Sequence, residues 1–216
     1  MLFRSAGLQT LLTGHQERLA RADRVLVVPD AHYPHHPSTG MVTNPAVVAE
    51  LAELLDTTVA IGITDGAHVD AERVGRYLGY EAVADRTGAA LVDLSGADRV
   101  ARRVRFVDRS RTIAVPEPLL SDSVVVVPTA RSDPRIGVAG GMITIASAIT
   151  TAPSRGDILA AARVCWPTLG ILDATYTYGD EPRRTALVAA SDDLLALERE
   201  AAELVDVDPG AVGHLH

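Results

Sequence analysis

Three histidines, His32, His35 and His36, stand within one stretch, AHYPHHPSTG, among prolines at 34 and 37. Imidazole changes charge near neutrality, so any of the three is a candidate catalytic base or acid. Four aspartates, Asp30, Asp65, Asp93 and Asp173, each end a short apolar run: VLVVPD, TVAIGITD, ALVD and TLGILD. Carboxylates and imidazoles gathered in one place suit a divalent cation. Oxygen ligands favour magnesium or manganese, and added imidazole shifts the preference toward zinc, iron or nickel. Asp30, His32, Asp65 and Asp173 form the candidate metal set. Ser38 and Thr39 of the same loop, Arg131, and the backbone amides around Gly140 are candidate substrate contacts, with Arg131 holding an anionic group. A plainer reading stands beside this one: aspartate after a strand often caps a helix or closes a turn, and a histidine-rich loop is often only a solvated one. The spacing matches no zinc pattern, since Pro34 and Pro37 exclude the helix that would set His32 and His36 on one face.

The elements that must position these residues read as alternating strands and helices. Arg24–Pro29 is a strand without polar alternation, which implies burial on both faces. Asn44-Pro45 caps and opens a helix running through Leu55. Further strands are expected at Thr58–Thr64, Ala90–Leu94, Ser123–Pro128, Thr168–Asp173 and Thr185–Ala190. Helices are expected at Leu8–Ala22, Asp70–Leu78 closed by Gly79, Glu81–Thr87 closed by Gly88, Asp157–Cys165, and Asp192–Leu204 with Ser191 as cap. Ile136–Thr144 is glycine-rich and leads into a helix through Ala148. Ser95–Val115 is polar and arginine-rich, irregular with short edge strands such as Thr112–Val115. If the strands are mostly parallel, all four aspartates fall along one rim of the sheet, where open α/β sheets bind ligands.

Composition excludes several chemistries. The chain has no lysine, all 20 of its basic residues being arginine, so Schiff-base, phosphate-loop-lysine and lysine-base mechanisms are absent. A formal charge of −8 disfavours non-specific nucleic-acid binding. The arginines at 99, 102, 103, 105, 109 and 111 are interleaved with Asp98 and Asp108, and only Phe106 is aromatic among them, so they read as a solvated face. The lone Cys165 excludes a disulfide framework and an iron–sulfur cluster, and reads as a small buried hydrophobe. Gly137, Gly140 and Gly141 match neither dinucleotide nor phosphate-loop spacing, and no nucleophile elbow is present. His15 reads as a surface helix residue, and His214 and His216 read only as tail residues. No run approaches the roughly 18 apolar residues of a membrane span. The start MLFRSAGLQTLL is too short and weakly apolar for a signal peptide, so the expected location is cytoplasmic.

Three segments together resemble the family catalogued as domain of unknown function 362. VLVVPDAHYPHHPSTGMVTNPAVVAELAELL is similar to that family's strand, loop and Thr-x-Pro-x-Val-Val helix start. DGAHVDAERVGRYLGY leading to LVDLS is similar to its glycine-rich turn and the "lGY" and "vDL" stretches. LGILDATYTYGDEPRRTALVAASDDLLALEREAAELVDVDP is similar to its closing pattern. The resemblance runs from about Val25 to Pro209 and implies an α/β fold with a mixed sheet, often in proteins that also carry a ferredoxin-like domain. Asp30, Thr43, Pro45, Asp65, Asp93, Asp173, Gly179, Pro182, Ser191 and Asp193 match the pattern or nearly so, with Glu198 where the family has aspartate. Val28 stands where the family has lysine, and PTARSDPRIGVAGGMITIASA lacks the family's lysines and histidine, with Arg131 among the charged residues that remain.

Together these readings predict one α/β domain over residues 1–216, with a mixed or largely parallel sheet flanked by helices. The expected function is a metal- or small-metabolite-binding enzyme with its site at the C-terminal rim of the sheet. The alternative is a non-catalytic subunit or regulatory protein that has lost the lysine-dependent site. The expected partner is a small-molecule ligand or a protein, not nucleic acid or membrane.

Overall fold

The computed structural model describes residues 7–32, 34–66, 68–106 and 110–216, and the backbone of 3–5. Asp108 and Arg109 of the arginine cluster lie outside the described residues, as do Tyr33 of the histidine loop and Ala67.

Strands are β1 (Phe3–Ser5), β2 (Arg24–Pro29), β3 (Thr58–Ile63), β4 (Ala90–Asp93), β5 (Arg99–Arg105), β6 (Ser110–Pro116), β7 (Ser123–Val127), β8 (Thr129–Asp133), β9 (Gly137–Ala139), β10 (Leu169–Tyr178) and β11 (Pro182–Ser191). Helices are α1 (Leu8–Leu12), α2 (Gln16–Ala20), α3 (Pro45–Leu54), α4 (Ala71–Leu78), α5 (Tyr80–Thr87), α6 (Pro118–Ser121), α7 (Gly141–Ile149), α8 (Arg155–Val164) and α9 (Leu194–Leu204). The main sheet runs β1-β11-β10-β7-β2-β3-β4. Pairing is parallel from β10 to β4 and antiparallel at β10–β11 and β11–β1.

The unbroken apolar strands are explained by burial on two faces. Val25, Val27, Val125 and Val127 point into a core shared with α1 to α5; Leu26, Val28, Val124 and Val126 point into one shared with α7, α8 and α9. Each such side chain taken from water stabilises the fold by about 1.5–3 kcal/mol. Cys165 is buried in the second core, where burial pushes its thiol up to about 12. Among the described residues no helix is long and apolar enough to cross a membrane.

Several expectations are corrected. The helix expected at Leu8–Ala22 is two short helices, broken where Gly14 takes φ 93°, a conformation an L residue resists. The arginine-rich segment is a regular antiparallel hairpin, β5–β6, forming its own sheet rather than an edge of the main one. Val104, Ile113 and Val115 anchor it on the core while Arg99, Arg103 and Arg105 face solvent. Arg102, between Val100 and Val104, masks the alternation. An unexpected strand, β8, lies between β7 and the glycine-rich stretch, and the stretch itself opens with β9; β8 pairs parallel to the far half of β10. That half runs five residues beyond Asp173, to Tyr178, past a register shift between Ala174 and Tyr176. The cap of α9 is Asp193, whose side chain accepts from the amides of Leu195 and Ala196; Ser191 Oγ instead accepts from the Asp193 amide at 3.0 Å.

Candidate functional site

Chain order along the parallel strands reverses between β2 and β7: β3 and β4 lie to one side of β2, β7 and β10 to the other. The loops leaving two such strands diverge, and the crevice between them is where open α/β sheets hold ligands. Asp30 follows β2 directly; Thr129 and Arg131, on β8, follow β7.

Local bonds fix this corner. The Asp30 amide donates to Val127 O at 3.1 Å and contacts Thr43 Oγ1 at 2.9 Å, and Thr43 Oγ1 donates to Val127 O at 2.5 Å. The Thr43 amide returns a bond to Asp30 O at 2.9 Å. Thr43 thus clamps both ends of the histidine loop to β7.

The Asp30 side chain is fully buried. Its Oδ2 accepts from Arg131 Nε and from Thr129 Oγ1, each at 3.3 Å. Its Oδ1 has no aligned hydrogen-bond donor among the described residues, but His32 Nε2 stands 2.7 Å away. The same Nε2 lies 3.2 Å from Arg131 Nη2. One nitrogen cannot donate to a carboxylate and accept from a guanidinium at once, so the proton on Nε2 decides which partner the ring serves. Burial alone would raise the Asp30 pKa; the His32 and Arg131 charges outweigh it and hold the carboxyl well below the usual range.

His32 and Arg131 are on the wall of a cleft of about 410 Å³, with Met41, Asp65, Ser132, Ile143 and Tyr178 among its other lining residues. That volume falls within the range of small-molecule sites. Met41 and Ile143 give the lining apolar surface, Arg131 and Ser132 give it hydrogen-bond donors, and Asp65 and Asp133 place carboxylates on it.

The other candidates are placed as follows. His35 and His36 are exposed and are not among the cleft residues. His36 caps a short 3-10 turn: its Nδ1 accepts from the Ser38 amide at 3.2 Å, and Thr39 Oγ1 donates to His36 O at 2.7 Å. Ser38 and Thr39 thus shape the loop. Asp65 lines the cleft, but its Oδ1 accepts from the Ala71 amide at the start of α4, at 2.9 Å. Asp93 closes a turn, accepting from the amides of Ser95 and Gly96. Asp173 is buried, with Oδ2 accepting from the Asn44 amide at 2.7 Å and Oδ1 from Thr175 N and Oγ1. Burial raises its pKa in spite of those bonds. Among the described residues no group of three or more His, Cys, Asp or Glu is placed to hold a metal ion.

At Gly140 the anion beside the backbone is the chain's own. Glu198, fully buried on α9, accepts a short bond from the Met142 amide in the first turn of α7. A Cβ at position 140 would come within 2.6 Å of Glu198 Oε2, so glycine is what lets the carboxylate reach the helix end. His214, read from the sequence only as a tail residue, is buried with Nε2 at 3.8 Å from that same Oε2. Neither Thr129 nor His214 was legible from spacing: both reach their partners only through tertiary folding. Thr43 and Glu198 carried a signal, since both stand at positions that resemble the family pattern.

The family model described as Domain of unknown function (DUF362) matches residues 25–203. No curated protein matches the chain. The match covers most of the chain, and the protein belongs to that family.

Proposed function

We propose that this member of the family is a small-metabolite enzyme in which His32 exchanges a proton with substrate at the switch-point cleft. In this reading Asp30 holds the imidazole and Arg131 binds an anionic group of the substrate. The carrying observation is the buried Asp30–Arg131 pair meeting His32 on the cleft wall, where the strand order reverses. A buried ion pair is seldom stabilising relative to apolar packing of the same volume, so its presence beside a cleft argues for a role in binding. When a substrate anion engages the guanidinium, Arg131 turns its donors outward, and Asp30 remains to orient the ring. His32 is then held as an acid or base against the bound molecule. The metal alternative finds less support: of its four proposed ligands, Asp173 has both oxygens committed to the α3 entrance and to Thr175.

A panel of small carboxylic acids and phosphate esters, screened by thermal shift, tests the reading. A ligand that stabilises the wild type should lose that effect in the charge-neutral double variant Asp30→Asn/Arg131→Gln. With His32→Gln the ligand should still bind but no longer exchange carbon-bound hydrogen for solvent deuterium. Binding without exchange in the wild type would mean a non-catalytic binding protein. A ligand held equally by the double variant would remove Arg131 from the site.

A further inference from the structure

A second cavity, of about 600 Å³, adjoins the switch-point cleft and shares with it the wall formed by Pro134, Arg135, Ala152 and Pro153. To Arg135 this cavity adds Arg155, from the first turn of α8, and His214, from the C-terminal 3-10 turn. No aspartate or glutamate is among its lining residues. In a chain of net charge −8, a cavity bordered by two guanidiniums and an imidazole is an environment for an anion.

Arg155 lies across Gly213, where any Cβ would stand 3.3 Å from its Nε. Among the described residues no carboxylate pairs with Arg155, and Arg135 reaches Asp133 only at 3.5 Å. The His214 ring is backed by Glu198 at 3.8 Å. Ala152, on the shared wall, is held at φ 49°, a left-handed conformation that costs a non-glycine residue energy and so marks a wall shaped by its surroundings.

We propose that this cavity is a subsite for a phosphoryl group, and that the ligand is an elongated phosphorylated metabolite whose reacting end lies at His32. Two guanidiniums from separate segments match the charge and the oxygens of a phosphoryl group, and the His214 imidazole adds a third polar side chain from the C-terminal turn. The placement of the reacting end rests on the proposed function; phosphate binding in the second cavity does not.

The test is titration of the whole protein with inorganic phosphate against chloride at equal ionic strength, followed by nitrogen–proton NMR of the backbone and arginine side chains. Saturable shifts are expected at residues 134–137, 152–155 and 211–215. Arg155→Gln and Arg135→Gln, both at exposed positions, should each weaken phosphate by about tenfold or more, while His32→Gln leaves its affinity within about twofold. Absence of saturable shifts, or unchanged affinity in both arginine variants, overturns the subsite. Shifts confined to Arg131 would overturn it too and leave the cleft standing. Phosphate held here while the cleft binds none of the metabolite panel would do the reverse.

Discussion

Asp30 carries the sharpest physical consequences of any single residue. Burial favours its neutral form, and the His32 and Arg131 charges override that preference. A carboxyl held below its unfolded value of about 3.9 adds stability above that pH and loses it as pH falls. Asp30→Asn should therefore lower the melting temperature near pH 7, and the gap to the wild type should begin to narrow below about pH 4 and go on narrowing as the pH falls toward the depressed folded-state value. A constant gap across that range would mean that the Asp30 carboxyl titrates alike in the folded and the unfolded chain. Arg131→Ala should cost about 3–5 kcal/mol in urea unfolding, because it strands a buried carboxylate. Adding Asp30→Asn should return part of that loss, a coupling that a double-mutant cycle measures. The sequence marked Asp30, His32 and Arg131 individually, the first two by position after a strand and the third as a cation in a segment that lacks the family's lysines. It could not mark their convergence, because Arg131 reaches Asp30 across 101 positions of chain.

Between elements, the joint of α7 and α9 turns on the carboxylate of Glu198. Gly140→Ala would drive a methyl into Glu198 Oε2 at 2.6 Å and push the carboxylate off the Met142 amide. A loss of about 1–3 kcal/mol is expected in chemical denaturation; an unchanged midpoint would mean that the carboxylate has room to swing. The glycine-rich stretch thus looked like a ligand loop in sequence because a backbone that accepts an outside anion and one that accepts its own side chain need the same residue. Elements with doubly buried apolar runs, β2, β3 and β7, were legible because their hydrophobic pattern is uninterrupted. The hairpin β5–β6 and strands β8 and β9 were not: arginine stems, Asp133 and Gly137 break the period on which such reading depends.

For the molecule as a whole, the strand order is that of a doubly wound sheet, yet both helices beside the switch point have occupied entrances. Asn44 and Asp173 serve the start of α3, and Glu198 serves α7. A pyrophosphate would have to displace a carboxylate from either end. Nicotinamide and flavin dinucleotides should accordingly give no thermal shift at concentrations that saturate typical dinucleotide enzymes. A robust shift would show that one of those carboxylates yields. The alternation of strands and helices foretold the layered architecture, whereas the order of strands depends on which crossover packs on which face, a choice no local pattern records.

Cys165 gives the fold one more property. It is the sole thiol of the chain, buried in the core that α7, α8 and α9 share, and its ionisation is pushed up to about 12. With no lysine present, the interior offers maleimides and disulfide reagents a single target, and that target opens only when the core does. The rate at which such a reagent labels the native protein is then a clock for core opening, with no engineered probe required.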